Sequence, residues 1–119
     1  MTKRTRHQGE LESLILNVLW SSRKPLTSQE ILDRVGDGEL AITTILTVLS
    51  RLIDKELVVR EAGEGRSFMF SATQSREQHT ADMMLKLVAN ESNPALAFSH
   101  FTDGLTTAQL RALRKSLEG

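Results

Sequence analysis

Thr43, Thr44, Thr47 and Arg51 stand at helical spacing in the segment LAITTILTVLSRLIDK. At ~100° per residue they project from one side of a helix. Three hydroxyls and a guanidinium can bond phosphates and base edges, and the threonine methyls can touch thymine. A merely solvated face would carry Glu and Lys, which form helices better than Thr. The opposite arc, about a third of the helix at that angular step, carries Ile42, Ile45, Leu46, Leu49, Leu52 and Ile53 and is read as the core side. A helix with these two faces suits a DNA groove. Asp54 lies near the polar face, where it either sits beyond the groove or orients Arg51.

The elements needed to position that helix surround it. It ends near Lys55-Glu56, and the runs LVV and FMF follow on either side of Gly63-Glu64-Gly65, which predicts strands Leu57–Ala62 and Arg66–Ala72. Upstream, Leu11, Leu14, Ile15, Val18 and Leu19 form the stripe of a first helix from about Leu11 to Ser21, closed by Trp20. Pro25 ends the next loop, and Leu26 can supply a short first strand. Thr27 and Glu30 form a capping box that opens a second helix bearing Ile31, Leu32 and Val35, and Gly36 and Gly38 stop it. Three helices and a hairpin, in that order, make a winged helix-turn-helix.

Beyond Ala72 the pattern changes. A helix from Ser75 to Asn90 puts Ala81, Met84, Leu85 and Val88 on one face. Asn93-Pro94 breaks it, and PALAFSHF forms a shorter one. Thr106 caps the last helix with Gln109 at N3, and Leu105 is placed to staple Leu110. Three short amphipathic helices cannot bury their own stripes well, and pairing with a second copy is the economical solution. The expected fold is mainly α with a small hairpin: a winged-helix DNA-binding domain, 1–73, then a helical dimerisation domain, 74–119. The seam is assigned to Met84, Leu85, Val88, Phe98, Phe101, Leu110, Leu113 and Leu117.

Composition removes several function classes. The chain has 119 residues and 39% hydrophobic content, ordinary for a compact domain with an extension. It carries no apolar run of ~20 residues able to span a membrane. MTKRTRHQGE does not resemble a signal peptide, so a cytoplasmic location is expected. Without cysteine there is no disulfide, thiolate metal site or cysteine nucleophile. Fifteen Lys plus Arg balance fifteen Asp plus Glu. The distribution still favours a positive face: Arg51, Arg60 and Arg66 lie on the helix and hairpin, whereas Asp33, Asp37 and Glu39 cluster around the preceding loop. Lys3, Arg4 and Arg6 form a cationic arm that, if ordered on DNA, would contact phosphates without reading sequence. Near-neutral net charge predicts weak non-specific binding and reliance on specific contacts and dimerisation.

Four motifs in order resemble the penicillinase-repressor family, the BlaI/MecI-type regulators. They are Gly9-Glu10-Leu11-Glu12 through Leu19-Trp20, Thr27 to Ile31, Thr43-Thr44-Ile45 through Leu57-Val58, and Gly65-Arg66-Ser67-Phe68-Met69-Phe70. The likeness spans nearly the whole chain. It implies a homodimeric transcriptional repressor on an inverted-repeat operator, with the third helix of each subunit in the major groove and the C-terminal helices interlocked. Thr43, Thr44, Thr47 and Arg51 match the family's DNA-facing positions, and Arg66 its wing position. In well-known members a membrane sensor-protease system responding to β-lactams relieves repression by cutting the C-terminal domain. His100-Phe101 falls near that bond, where staphylococcal members carry Asn-Phe. The cysteine pairs of the copper-responsive branch are absent.

Other chemistry is poorly supplied. His7, His79 and His100 are far apart, and His79 with Asp82 gives two candidate ligands, too few for a metal site. No nucleophile elbow, phosphate loop, HExxH or placed His-carboxylate pair is present, so no enzyme and no cofactor are expected. Met83 and Met84 read as interface or core, and Phe98 and Phe101 as dimer packing. Two alternatives stand beside the repressor. One is a winged-helix module that binds protein, suggested by net neutrality and the lack of lysine on the third helix. The other is a repressor with an effector site in its C-terminal domain.

Overall fold

The computed structural model describes residues 8–36 and 38–119. Lys3, Arg4, Arg6, His7 and Asp37 lie outside the described residues. The element order is α1 Gln8–Ser21, α2 Ser28–Val35, α3 Ile42–Asp54, β1 Val58–Ala62, β2 Phe68–Ala72, α4 Arg76–Ala89, α5 Pro94–Gly104 and α6 Thr107–Leu117. Among the described residues, six helices and one antiparallel hairpin make the winged helix-turn-helix order, followed by a helical extension. Among the described residues no helix is long and apolar enough to cross a membrane.

Local hydrogen bonds set most helix ends. Glu30 N–H donates to Thr27 Oγ1 at 3.1 Å, and Thr27 N–H donates to the Glu30 carboxylate at 2.9 Å, the reciprocal capping box of α2. Gly36, at φ +71°, closes that helix in the left-handed region. The end of α3 has the same logic without a glycine. Leu57 N–H donates to Leu52 C=O and Glu56 N–H to Ile53 C=O, both at 2.9 Å, with Glu56 at φ +64°. This is a Schellman motif carrying glutamate at the position glycine normally takes, at a cost of about 1 kcal/mol. Thr73 Oγ1 donates to Glu56 C=O at 2.8 Å and helps hold that turn.

The Thr27 bonds also act on the Glu30 carboxyl. The Thr27 backbone N–H, then the Thr27 hydroxyl, stabilise the carboxylate and hold its pKa below the ordinary 4.5. A pKa depressed by folding contributes stability above the unfolded-state pKa, and that contribution disappears as pH falls through the folded one. Glu30→Gln keeps the carbonyl acceptor and loses the charge. Its melting temperature should therefore fall less than the wild type's between neutral pH and the acid side of 4.5. Parallel acid dependence in calorimetry of both proteins would refute the assignment.

The core gathers Leu11, Ile15, Leu16 and Leu19 of α1, Leu26, Ile31, four residues of α3, Val58 and Phe70. Burying each large aliphatic side chain contributes roughly 1.5–3 kcal/mol. In α1 the stripe differs by one position from the one expected: Leu16 is buried, while Leu14 and Val18 are half-buried. Leu26, expected as a short first strand, forms a single bridged residue beside the two-stranded hairpin. Its N–H donates to Phe70 C=O at 3.0 Å and its C=O accepts from Phe70 N–H at 2.7 Å, an isolated antiparallel bridge.

The hairpin pairs Val58 with Ala72, Arg60 with Phe70 and Ala62 with Phe68. Strand β2 starts at Phe68, two residues later than expected, because the loop closes on itself at Ser67. Gly63 N–H donates to Ser67 C=O at 2.9 Å, and Ser67 Oγ donates to Glu64 C=O at 2.6 Å. Gly65 supplies φ +66°. Gly63 has a different reason: a Cβ there would lie 2.9 Å from Met69 Cγ.

The chain divides into two compact units, one ending at His79 and one spanning Thr80–Gly119. The division thus falls inside α4, not in the loop at 73/74. The first residues of α4 are tied to α1: Trp20 Nε1–H donates to Gln74 C=O at 2.9 Å, Arg76 donates to Asn17 Oδ1, and His79 packs 5.4 Å from the Trp20 ring. In α4, α5 and α6 no residue is buried. The capping box of α6 is present, Gln109 N–H to Thr106 Oγ1 at 3.1 Å and Thr106 N–H to Gln109 Oε1 at 2.9 Å.

Candidate nucleic-acid interface

Helix α3 is enclosed by α1, α2 and β1, and those neighbours decide which way it is turned. Ile45, Val48, Leu49 and Leu52 point into the core. The centre of that arc lies about 50° from the centre of the apolar pattern, at ~100° per residue. Two expectations change as a result. Leu46, assigned to the core side, is 41% exposed, and Val48, left out of it, is 3% exposed. The helix carries more apolar residues than its neighbours can cover, so Ile42 and Ile53 are only half-buried.

The exposed side of α3 is a row of Thr43, Thr47, Ser50 and Asp54, flanked by Thr44 and Arg51 on one shoulder and Leu46 on the other. All four of the polar side chains singled out from the sequence, Thr43, Thr44, Thr47 and Arg51, are exposed. Their hydrogen-bonding capacity is unequal. Thr47 Oγ1 donates to Thr43 C=O at 2.9 Å, so Thr47 offers a partner its methyl and acceptor lone pairs, not its proton. Among the described residues Arg51 is in no ion pair or hydrogen bond, and its donors face solvent. Asp54 does not pair with it. Asp54 instead lines an open groove between α3 and β1 with Ser50, Ile53, Val59 and Arg60. Lys55 is taken by Glu12 of α1 at 2.8 Å, which anchors the C-terminal end of α3.

The hairpin carries two more cations, of which Arg60 borders the groove beside α3. Arg66 is exposed in the loop between the strands, and Arg60 is exposed on β1. Arg60 belongs to the positive face expected from the sequence, and its Cζ lies 4.2 Å from the Phe68 ring centroid, a contact the sequence does not announce. The eight-residue separation of Arg60 and Phe68 carries no signal until the hairpin register is known. Among the described residues no group of three or more His, Asp or Glu side chains is placed to hold a metal ion. His79 is engaged by Trp20 and Asp82 has a partner of its own.

In the second unit the residues assigned to a seam are all accessible to some degree. Met84, Leu85, Phe98, Phe101 and Leu117 are exposed, Leu117 at 80%, while Val88, Leu110 and Leu113 are half-buried. Met83, expected as interface or core, adds to this apolar surface, as do Leu87 and Leu96, which the expected seam leaves out; Leu87 is 74% exposed. The signal was in the sequence, since Met83 and Leu87 are four residues apart on one side of α4. His100 and Phe101 are exposed within α5, not in a loop.

Comparison with known proteins agrees with this geometry. The profile of the penicillinase repressor family matches residues 8–119. Transcriptional regulator BlaI of Mycobacterium tuberculosis, in strains H37Rv and CDC 1551, is 30% identical over 121 residues, covering 98% of this chain and 86% of the relative. Among solved structures, the PcaV transcriptional regulator of Streptomyces coelicolor superposes with a TM-score of 0.51 at 20% identity, over 98% of this chain and 74% of that one. At that identity the likeness speaks for the fold alone. The family match extends past the winged helix to the last helix, and the relatives are regulators, not enzymes. A winged helix with an open Thr/Arg row, followed by a helical unit and matched along its described length, therefore belongs to the penicillinase repressor family.

Proposed function

We propose that the chain is a sequence-specific DNA-binding repressor that works in the cytoplasm as a homodimer on an inverted-repeat operator. The observation that carries this reading is the exposed row on α3, with the unpaired Arg51 guanidinium on its shoulder and the hairpin cations alongside. Thr43, Thr44, Thr47 and Arg51 meet base edges and phosphates in the major groove, and Arg66 meets the backbone from the hairpin loop. Lys3, Arg4 and Arg6 add phosphate contacts outside the described residues. One winged helix offers too few contacts for tight binding, so two copies joined through α4–α6 share an operator. Met84, Leu85, Val88, Phe98, Phe101, Leu110, Leu113 and Leu117 form the seam, since none of them is fully buried within the single chain. Relief of repression comes from a signal such as cleavage in the C-terminal unit by a sensor protease system. The His100–Phe101 bond lies in α5, so that helix must unwind locally before a protease can cut it.

Selection of bound sequences from random duplex DNA at near-physiological salt tests the reading. The expected product is an inverted repeat with half-sites about one helical turn apart. On the selected duplex, Arg51→Ala should lose ~1–3 kcal/mol of binding free energy, roughly 5- to 150-fold in Kd. No enrichment by folded protein would move the assignment to a protein-binding winged-helix module. Unchanged affinity of the Arg51 variant would remove that residue from the interface.

A further inference from the structure

We propose that Arg60 is a phosphate contact of the DNA-bound state and that Phe68 holds it ready. The proposal rests on the DNA-binding reading above. The hairpin register pairs Arg60 with Phe70 and Ala62 with Phe68, so Arg60 and Phe68 are diagonal neighbours on one face. At its inner end that face is core, carrying Val58 and Phe70. At its outer end Phe68 is 46% exposed, and the Arg60 guanidinium covers its ring at 4.2 Å.

Stacking uses the flat face of a guanidinium and leaves its N–H edge free, whereas a phosphate is bound through that edge. The two contacts are compatible, and the first removes much of the side-chain freedom that the second would otherwise cost. Among the described residues Arg60 makes no ion pair, although Asp54 and Glu56 line the same groove. The ring, not an acid, sets its position. Ser50 lines that groove too, one turn beyond Thr47 in the exposed row of α3. With α3 in a major groove, the strand bordering it runs between helix and hairpin. Arg60 then faces backbone and not base edges. Arg66, in the hairpin loop, has no such stack among the described residues.

The test uses full-length protein, the selected operator and a scrambled duplex of equal length, with Kd measured across a salt series. Arg60→Gln should weaken binding several-fold on both duplexes and reduce the slope of log K against log salt by about 0.9 per bound subunit. Arg60→Lys keeps the charge, so it should restore the slope while recovering only part of the affinity. Phe68→Leu should lower affinity with the slope retained, the signature of a positioning residue. A structural role in the hairpin would not move the salt slope. A wild-type slope in Arg60→Gln overturns the phosphate contact, and full affinity in Phe68→Leu overturns the positioning. Failure of the wild type to bind either duplex would instead overturn the DNA-binding reading itself.

Discussion

Leu113→Asp should leave the protein monomeric at micromolar concentration and abolish tight operator binding, if the homodimer proposed above joins through α6. Leu113 is half-buried in the single chain, on the same helix as Leu117, which is 80% exposed. An ionised carboxylate in a dry seam loses its hydration without a partner and costs about 3 kcal/mol or more per copy. Each ~1.4 kcal/mol is tenfold, so a symmetric interface carrying the change twice loses on the order of four decades in association constant. Sedimentation velocity reads the assembly, and titration of the selected operator reads the consequence for binding. Because Leu113 also packs within its own unit, Leu117→Asp is the cleaner companion. Its side chain has almost nothing to lose within the chain, so any effect reports on the partner. Helix content measured by circular dichroism separates dissociation from unfolding. If both variants sediment as dimers, the seam lies elsewhere.

Ile45→Ala should be among the most damaging single truncations in α3, costing ~2–5 kcal/mol. Its side chain is 0% exposed and sits where α3 meets the rest of the core. Set against a total stability of ~5–15 kcal/mol, the loss should lower the melting temperature by on the order of 10 °C or more for a unit of this size. Leu46→Ala, one residue along, should cost less than about 1 kcal/mol, because most of what it removes is not packed. Chemical denaturation of the two variants therefore measures which way the helix is turned. Equal losses would place Leu46 in the core and turn α3 by about 50° from the orientation described here, with Thr43, Thr47 and Arg51 still opposite the buried face. Orientation is what functions in this helix: a turn of ~100°, one residue's step, exchanges a polar row for an apolar one.

The helix starts at Thr27 and Thr106 were legible because a capping box spans four residues and needs no tertiary partner. The hairpin was legible from a glycine turn between two apolar runs, whereas the strand expected at Leu26 is reduced to one bridged residue, because its only partner among the described residues is Phe70 across a long separation. The end of α3 was less so, since its Schellman turn uses Glu56 in place of glycine and relies on Thr73 across the hairpin. The excess of threonine over lysine on α3 identified the face that stays open, and the family motifs agreed.

By itself, then, the sequence determined the order of the elements, most of their ends and the winged-helix class, because these depend on hydrogen bonds and apolar spacing within a few residues. Tertiary structure decided the rotation of α3, where seven apolar residues competed for four buried places, with Val48 gaining one and Leu46 losing one. It also decided that the first four residues of α4 belong with α1, through the Trp20 contacts, and that Arg60 lies over Phe68. Each of these outcomes turns on which surfaces meet across long separations in the chain. Periodicity ranks the candidate faces, and only the packed neighbours choose among them.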